Sequence, residues 1–290
     1  MKYEEIIATK DYDKLYYLLK DNSLSESYLS KLRQDKKYLL INNSPANMRS
    51  KVFKGDKVYF SLEVQKKSNI KTCNLQLDMV FEDEYLLVIN KPPLLASTPT
   101  KSHYSSNLAG AVCNYMNNKS ENFVFRILNR LDKDTSGLVI IAKSIFAYQK
   151  ITNIEKIYEA ICIGKMLSPI CIDKPIYTEN INGINTLKRV ISPLGKEAKT
   201  YVEVINSNEN YSHIKLKLEH GRTHQIRVHL SSINHPLVGD SVYGEKSDLI
   251  PHTALICKTI SFIHPKTGER MNFEATYPQS IIDLFKQTAL

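Results

Sequence analysis

Asn129-Arg130-Leu131-Asp132-Lys133-Asp134-Thr135-Ser136-Gly137 runs straight into Leu138-Val139-Ile140-Ile141-Ala142, and the reading of this stretch decides the fold. The apolar half reads as a strand, and Phe123-Val124-Phe125 upstream reads as another. Between them lies a tight polar loop closed by glycine. Taken alone, Asp132-x-Asp134-x-x-Gly137 is equally well a turn, where Asp and Gly serve the backbone. A turn does not need Arg130, a guanidinium two residues from the Asp132 carboxylate.

Working outward, Leu86-Leu87-Val88-Ile89 reads as a buried strand stopped by Lys91-Pro92-Pro93, because proline cannot donate to a ladder. Leu108, Val112 and Met116 recur at helical spacing. Residues 156–164 and 212–219 alternate as strands, the second with Ile214, Leu216 and Leu218 on one face and His213, Lys215 and Lys217 on the other. Ile226, Leu230 and Ile233 mark a helix that Thr223 is placed to cap. Strands outnumber helices and mostly follow one another without helical crossovers. The expected fold is therefore α+β with a mixed, largely antiparallel sheet.

Residues 1–72 read as a separate small α/β unit and linker, and residues 73–290 as the main domain. In the first, Tyr12, Leu15, Tyr16 and Leu19 predict a helix, and Ser23 or Ser25 caps a second through Leu29 and Leu32. Tyr38-Leu39-Leu40-Ile41 predicts a strand turning at Asn42-Asn43, and Lys54-Gly55-Asp56 a turn feeding a last strand. Lys66-Lys67-Ser68-Asn69-Ile70-Lys71 reads as a linker.

The chain carries a formal net charge of +9, which suits a polyanionic partner whose affinity falls with salt. Only eight of its 39 basic residues are arginine, which draws attention to Arg130, Arg222 and Arg227. The five cysteines are scattered without a Cys-x-x-Cys pair, against a disulfide framework or thiolate zinc site. No apolar run approaches the roughly 20 residues of a membrane span, and no apolar signal segment follows Met1. The expectation is a cytoplasmic monomer with no membrane contact.

Gly221-Arg222-Thr223-His224-Gln225-Ile226-Arg227-Val228-His229 is the second informative block. Together with Arg130-Leu131-Asp132 and its Thr-Ser-Gly turn, it resembles the motif set of the RluA-type pseudouridine synthases of structured RNA. Residues 81–92, 235–244 and 262–269 resemble further blocks of that family in the same order, so the resemblance runs from about Met79 to Pro278. It implies conversion of a uridine to pseudouridine, most expectedly in 23S ribosomal RNA, by an isomerase that needs no cofactor and no metal. In the family's pattern Asp132 is the nucleophile, Arg222 the cation that keeps it ionised, and Tyr158 the ring that stacks on the uracil. Arg130 would hold the flipped base out of its stack. Arg227 and Lys91 are implied as phosphate contacts, and His224 and Gln225 as further RNA contacts. The N-terminal residues resemble the alpha-L RNA-binding domain named after small-subunit ribosomal protein S-four, although Ile41-Asn42-Asn43 replaces the usual Val-Asn-Gly.

Three departures bear on target choice: Asn129 for the usual His, Ser97-Thr98-Pro99 where His-Pro is common, and Leu255-Ile256-Cys257 for Leu-His-Ala. Blander readings stand beside the roles. Tyr158 is one of 17 tyrosines and suits a core strand, and Arg222 suits a weak surface ion pair. His220, His224, His229 and His235 with Asp240 invite a zinc site, but their spacing is poor and no His-Glu-x-x-His occurs. Asp132 and Asp134 sit too close in sequence to straddle a sugar as a glycosidase pair. The rival readings are the same reaction on transfer RNA, or a catalytically idle RNA-binding or ribosome-assembly protein.

Overall fold

The computed structural model describes residues 3–22, 24–34, 39–61, 70–100, 104–119, 123–181 and 184–290. Its N-terminal part comprises β1 (Glu4–Ile7), α1 (Leu15–Asp21), α2 (Glu26–Gln34), β2 (Leu39–Ile41), β3 (Ser44–Pro45) and β4 (Lys57–Phe60). The strands pair antiparallel in the order β1-β4-β2-β3. Asn42 (φ 49°) and Asn43 (φ 66°) turn the β2–β3 hairpin, and two successive positive φ values are what a type I′ turn requires. The helices bury Leu15, Leu18 and Leu19, and Tyr28, Leu29 and Leu32, in one cluster with Val58 and Phe60 of β4. Tyr12 precedes α1 because its backbone bridges Val52. Ser25 accepts from Tyr28 N at 3.3 Å at the start of α2. Ser23, Tyr38 and most of the expected linker lie outside the described residues.

The larger part runs β5 (Met79–Glu82), β6 (Leu86–Lys91), α3 (Leu108–Asn118), β7 (Ser136–Ala142), α4 (Ile145–Lys150) and β8 (Glu155–Ile163). It continues β9 (Ile170–Asp173), β10 (Ile176–Ile181), β11 (Ile184–Ile191), β12 (Lys199–Ser207), β13 (Tyr211–Leu218), α5 (Gln225–Ser231), β14 (Leu255–Ile263), β15 (Arg270–Glu274) and α6 (Gln279–Thr288). Nine strands form one sheet in the order β5-β6-β7-β14-β8-β13-β12-β9, with β15 on β14. β10 and β11 make a hairpin apart from it. β14 forks: its start lies parallel to β7, and its end pairs antiparallel with β15. The other strand pairs are antiparallel, so the mixed α+β architecture is as expected. β7 is buried along its whole length, and β13 buries Ser212, Ile214 and Leu216 at alternate positions.

α4 joins the two parts. Phe146 enters the N-terminal cluster with its ring 6.0 Å from that of Phe60, and Gln149 donates to Ser25 Oγ at 2.7 Å. Among the described residues no helix is long and apolar enough to cross a membrane.

Two local expectations need correction. Phe123–Phe125 forms no strand. The segment runs beside β7 with Ala142 N donating to Arg126 O at 2.8 Å and Leu128 N to Ile140 O at 2.9 Å. The neighbouring pairing positions are taken by a side chain: Asn129 Nδ2 donates to Leu138 O, and Asn129 Oδ1 accepts from Ile140 N. Thr223 does not cap α5. That position belongs to His224, in the left-handed region at φ 58°, while Gln225 Oε1 accepts from Arg222 N at 2.9 Å.

Candidate active site

Three backbones in register build the site. Cys257 of β14 stands opposite Gly137 of β7 on one side and Tyr158 of β8 on the other. The first pairing sets the Asp132 loop, which ends at Gly137, beside the strand that carries Tyr158. Gly137 has φ +108°, and a Cβ there would lie 2.6 Å from Cys257 N and closer still to its carbonyl oxygen. Only glycine gives this approach.

Above these strands opens a cleft of about 620 Å³. Asp132, Tyr158, Arg130, Arg222 and His224 all line it, together with apolar Ile127, Leu218, Ile226 and Leu255. Asp132 is partly exposed, and its Oδ2 lies 3.9 Å from His224 Nε2. Arg222 shares the cleft but makes no ion pair with Asp132 here; its Nε donates to Glu197 O at 3.0 Å. Arg130 is exposed on the rim. Tyr158 is largely buried, and burial raises its phenol well above the usual range, so the hydroxyl keeps its proton.

The three other expected RNA contacts, Lys91, Arg227 and Gln225, are buried. Lys91 is fully buried, and its ammonium donates to Pro92 O (2.9 Å), Leu95 O (2.8 Å) and Lys133 O (3.3 Å). Three N–H donors meet three carbonyls, one of them in the Asp132 loop. Burial pushes this group down to about 7, against the opposing pull of Asp132 and Asp134. Arg227 forms a buried two-point ion pair with Asp240, both bonds at 2.7 Å. Burial raises the Asp240 carboxyl, but Arg227 and the N–H groups of Val242 and Tyr243 outweigh it and hold it below the usual carboxylate range. Gln225 is buried and donates to Lys199 O at 2.8 Å. Lys91 is closed off, while Arg227 and Gln225 line the cleft with little of their surface exposed.

Tyr243, given no role in the sequence reading, organises the back of the cleft. Its hydroxyl accepts from Arg189 N at 2.8 Å and lies 2.9 Å from His224 Nδ1. Since that hydroxyl already accepts one bond, its proton is free for Nδ1, which turns Nε2 toward Asp132. Burial lowers the His224 pKa, with Arg227 and Arg189 adding to the effect and Asp132 opposing it. Ser97, read in the sequence only as a departure from the family pattern, donates its hydroxyl to Leu131 O at 2.6 Å and pins the loop. Tyr243 lies in the block 235–244 and Ser97 in the departure Ser97-Thr98-Pro99, but neither pattern tells what its hydroxyl bonds. Among the described residues no three His, Cys, Asp or Glu side chains gather as a metal site. His229 instead bonds Thr200 Oγ1 and Lys174 O.

A forked mixed sheet that gathers Asp132, arginines and a deep tyrosine round one cleft, with Glu155 and Glu219 also in its lining, suits an RNA-modifying isomerase. The RNA pseudouridylate synthase model matches residues 85–232, and the chain belongs to this family. It is 34% identical over 258 residues to the uncharacterized RNA pseudouridine synthase YjbO of Bacillus subtilis (strain 168), covering 86% of this chain and 89% of that protein. It is 33% identical over 283 residues to ribosomal large subunit pseudouridine synthase D of Vibrio vulnificus (strain CMCP6), covering 90% and 85%. Human RNA pseudouridylate synthase domain containing 4 shares the fold at TM-score 0.57 and 21% identity, over 73% of this chain and 92% of that one.

Proposed function

We propose that this RNA pseudouridine synthase isomerises a particular uridine in structured large-subunit ribosomal RNA, with Asp132 as nucleophile. The relatives named for the large subunit support the target class. The observation that carries the chemistry is the convergence of Asp132, Tyr158 and Arg222 on one cleft, from positions far apart in the chain.

The target nucleotide leaves its stack and enters the cleft, its base against Ile127, Leu218, Ile226 and Leu255, and Arg130 on the rim fills the space it vacates. Stacking on the Tyr158 ring, worth roughly 1–3 kcal/mol, offsets part of the unstacking cost. Asp132 assists rupture of the bond between uracil N1 and ribose C1′ by adding to C1′, and the base departs as an anion. The base turns so that C5 faces C1′. Carbon 5 then displaces Asp132 as the new bond forms, and the C5 proton ends on N1. Atoms and electrons balance without a redox partner, so the reaction itself calls for no cofactor. Arg222, held through Nε at Glu197 O, lends its positive charge to the cleft that holds Asp132. Residues 1–72 act as an alpha-L RNA-binding domain that tethers the substrate, and the protein works as a monomer.

The test is tritium release from RNA labelled at uridine carbon 5, together with maps of cellular pseudouridine with and without the gene. The Asp132→Asn protein is expected to bind RNA and release no tritium. Retained release ends the assignment. Loss of a transfer RNA site alone moves the target, and loss of no site supports an idle RNA-binding protein.

A further inference from the structure

The cleft does not end at Arg222. A second cavity of about 410 Å³ opens on its far side, and Gly221, Arg222 and Thr223 line both. The outer wall is the base of the β10–β11 hairpin and the turn after it, which contribute Tyr177, Arg189 and Lys196. This wall is anchored. Ile176 and Lys196 exchange backbone bonds of 2.9 Å in both directions, and Arg189 N donates to the same Tyr243 hydroxyl that holds His224.

The lining is chemically one-sided. Among the described residues that line it are three cations (Arg189, Lys196 and Arg222) and no carboxylate. Tyr177, 39% exposed as a residue, offers a ring. Arg222 is held through Nε by Glu197 O, which leaves both terminal nitrogens of its fork for another acceptor at the junction of the two cavities. A ligand that suits this space carries a phosphate and a flat ring, and is short enough to be linked across Gly221 to a group beside Asp132. That is one nucleotide of an RNA strand.

We propose that the second cavity is a subsite for a nucleotide flanking the target uridine, with its phosphodiester held between Arg222 and Lys196 and its base on Tyr177. The proposal rests on the target base entering the cleft beside Asp132. It makes sequence selection partly a property of the hairpin rather than of the cleft alone.

The test uses the full chain and a synthetic stem-loop carrying the uridine mapped above, with each flanking nucleotide replaced in turn by an abasic ribose. A Tyr177→Ala/Lys196→Ala variant removes two exposed side chains and keeps the Ile176–Lys196 backbone pair. It is expected to raise KM roughly fivefold or more and leave kcat unchanged. One abasic position should weaken the wild-type protein by a similar factor and the variant not at all. Affinities measured by filter binding in the Asp132→Asn background should show the same pattern without turnover. Equal abasic penalties in wild type and variant at every position overturn the subsite, as does a loss confined to kcat. A wild-type protein that turns over no uridine overturns the proposed reaction instead, and the binding comparison still decides the subsite.

Discussion

Gly137 and Cys257 lie backbone against backbone where β7 and β14 run parallel, and this contact brings the Asp132 loop alongside Tyr158. Gly137→Ala is expected to separate them. Positive φ for a non-glycine residue costs about 1–3 kcal/mol, and the clash with Cys257 adds a similar amount. A loss of about 3 kcal/mol or more in urea-unfolding free energy, together with lost turnover, is the expected outcome. A stability within about 0.5 kcal/mol of wild type would show that the strands can part freely.

The same motif shows what was legible in the sequence. Leu138 to Ala142 form a continuous apolar run and are buried in β7, because local pattern alone decides such a strand. The Asn42-Asn43 turn was legible for a similar reason, since few residues accept positive φ. Burial of the charged residues was not. Arg222 and Arg227 stand five apart in one motif and look alike, yet Asp240 turns Arg227 inward. Lys91 at a strand end reads as a surface residue until three carbonyls from two loops close around it. Such partners are set by tertiary approach, and no spacing rule carries them.

Arg227 and Arg130 should therefore separate in salt titrations. Arg227→Met leaves Asp240 charged and unpaired in the core, which costs about 3–5 kcal/mol. Because Arg227 is spent on Asp240, the dependence of RNA affinity on salt is expected not to change at a temperature where the variant is folded. Arg130→Ala should leave the melting temperature alone and reduce the salt slope by about one. Thermal melts and filter binding at several salt concentrations check both. A reduced salt slope for Arg227→Met would return it to the RNA interface.

Lys91 gives stability a pH dependence whose sign follows from its burial. The unfolded chain holds this proton up to 10.5, and the fold releases it near about 7. Between those values the unfolded state binds more protons, so stability rises with pH, by at most about 1.4 kcal/mol per unit. Below about 7 the penalty of the buried ammonium is present in full. Buried Cys162 and Cys257, pushed up to about 12 in the fold, ionise near 9 in the unfolded chain and oppose the lysine, so urea unfolding between about pH 7 and 8 is where its slope is read. Lys91→Met should flatten the slope in that window. An unchanged slope would mean that another group carries it.

The hydroxyl of Tyr243 orients His224, and His224 Nε2 faces Asp132 at 3.9 Å. Removing the hydroxyl with Tyr243→Phe keeps the ring over Arg227, where the cation lies 5.4 Å from the centroid, and frees the imidazole to turn. Small misplacements near a reacting centre cost up to about a hundredfold, so a loss of about tenfold in kcat with KM unchanged is expected. His224→Ala should lower kcat to a similar degree. The double variant should be no worse than either single one, because the hydroxyl acts through the imidazole and two changes on one path do not add. Single-turnover rates with saturating enzyme measure all three. If the two losses multiply, Tyr243 acts on the substrate by a route of its own, through Arg189 and the hairpin it anchors.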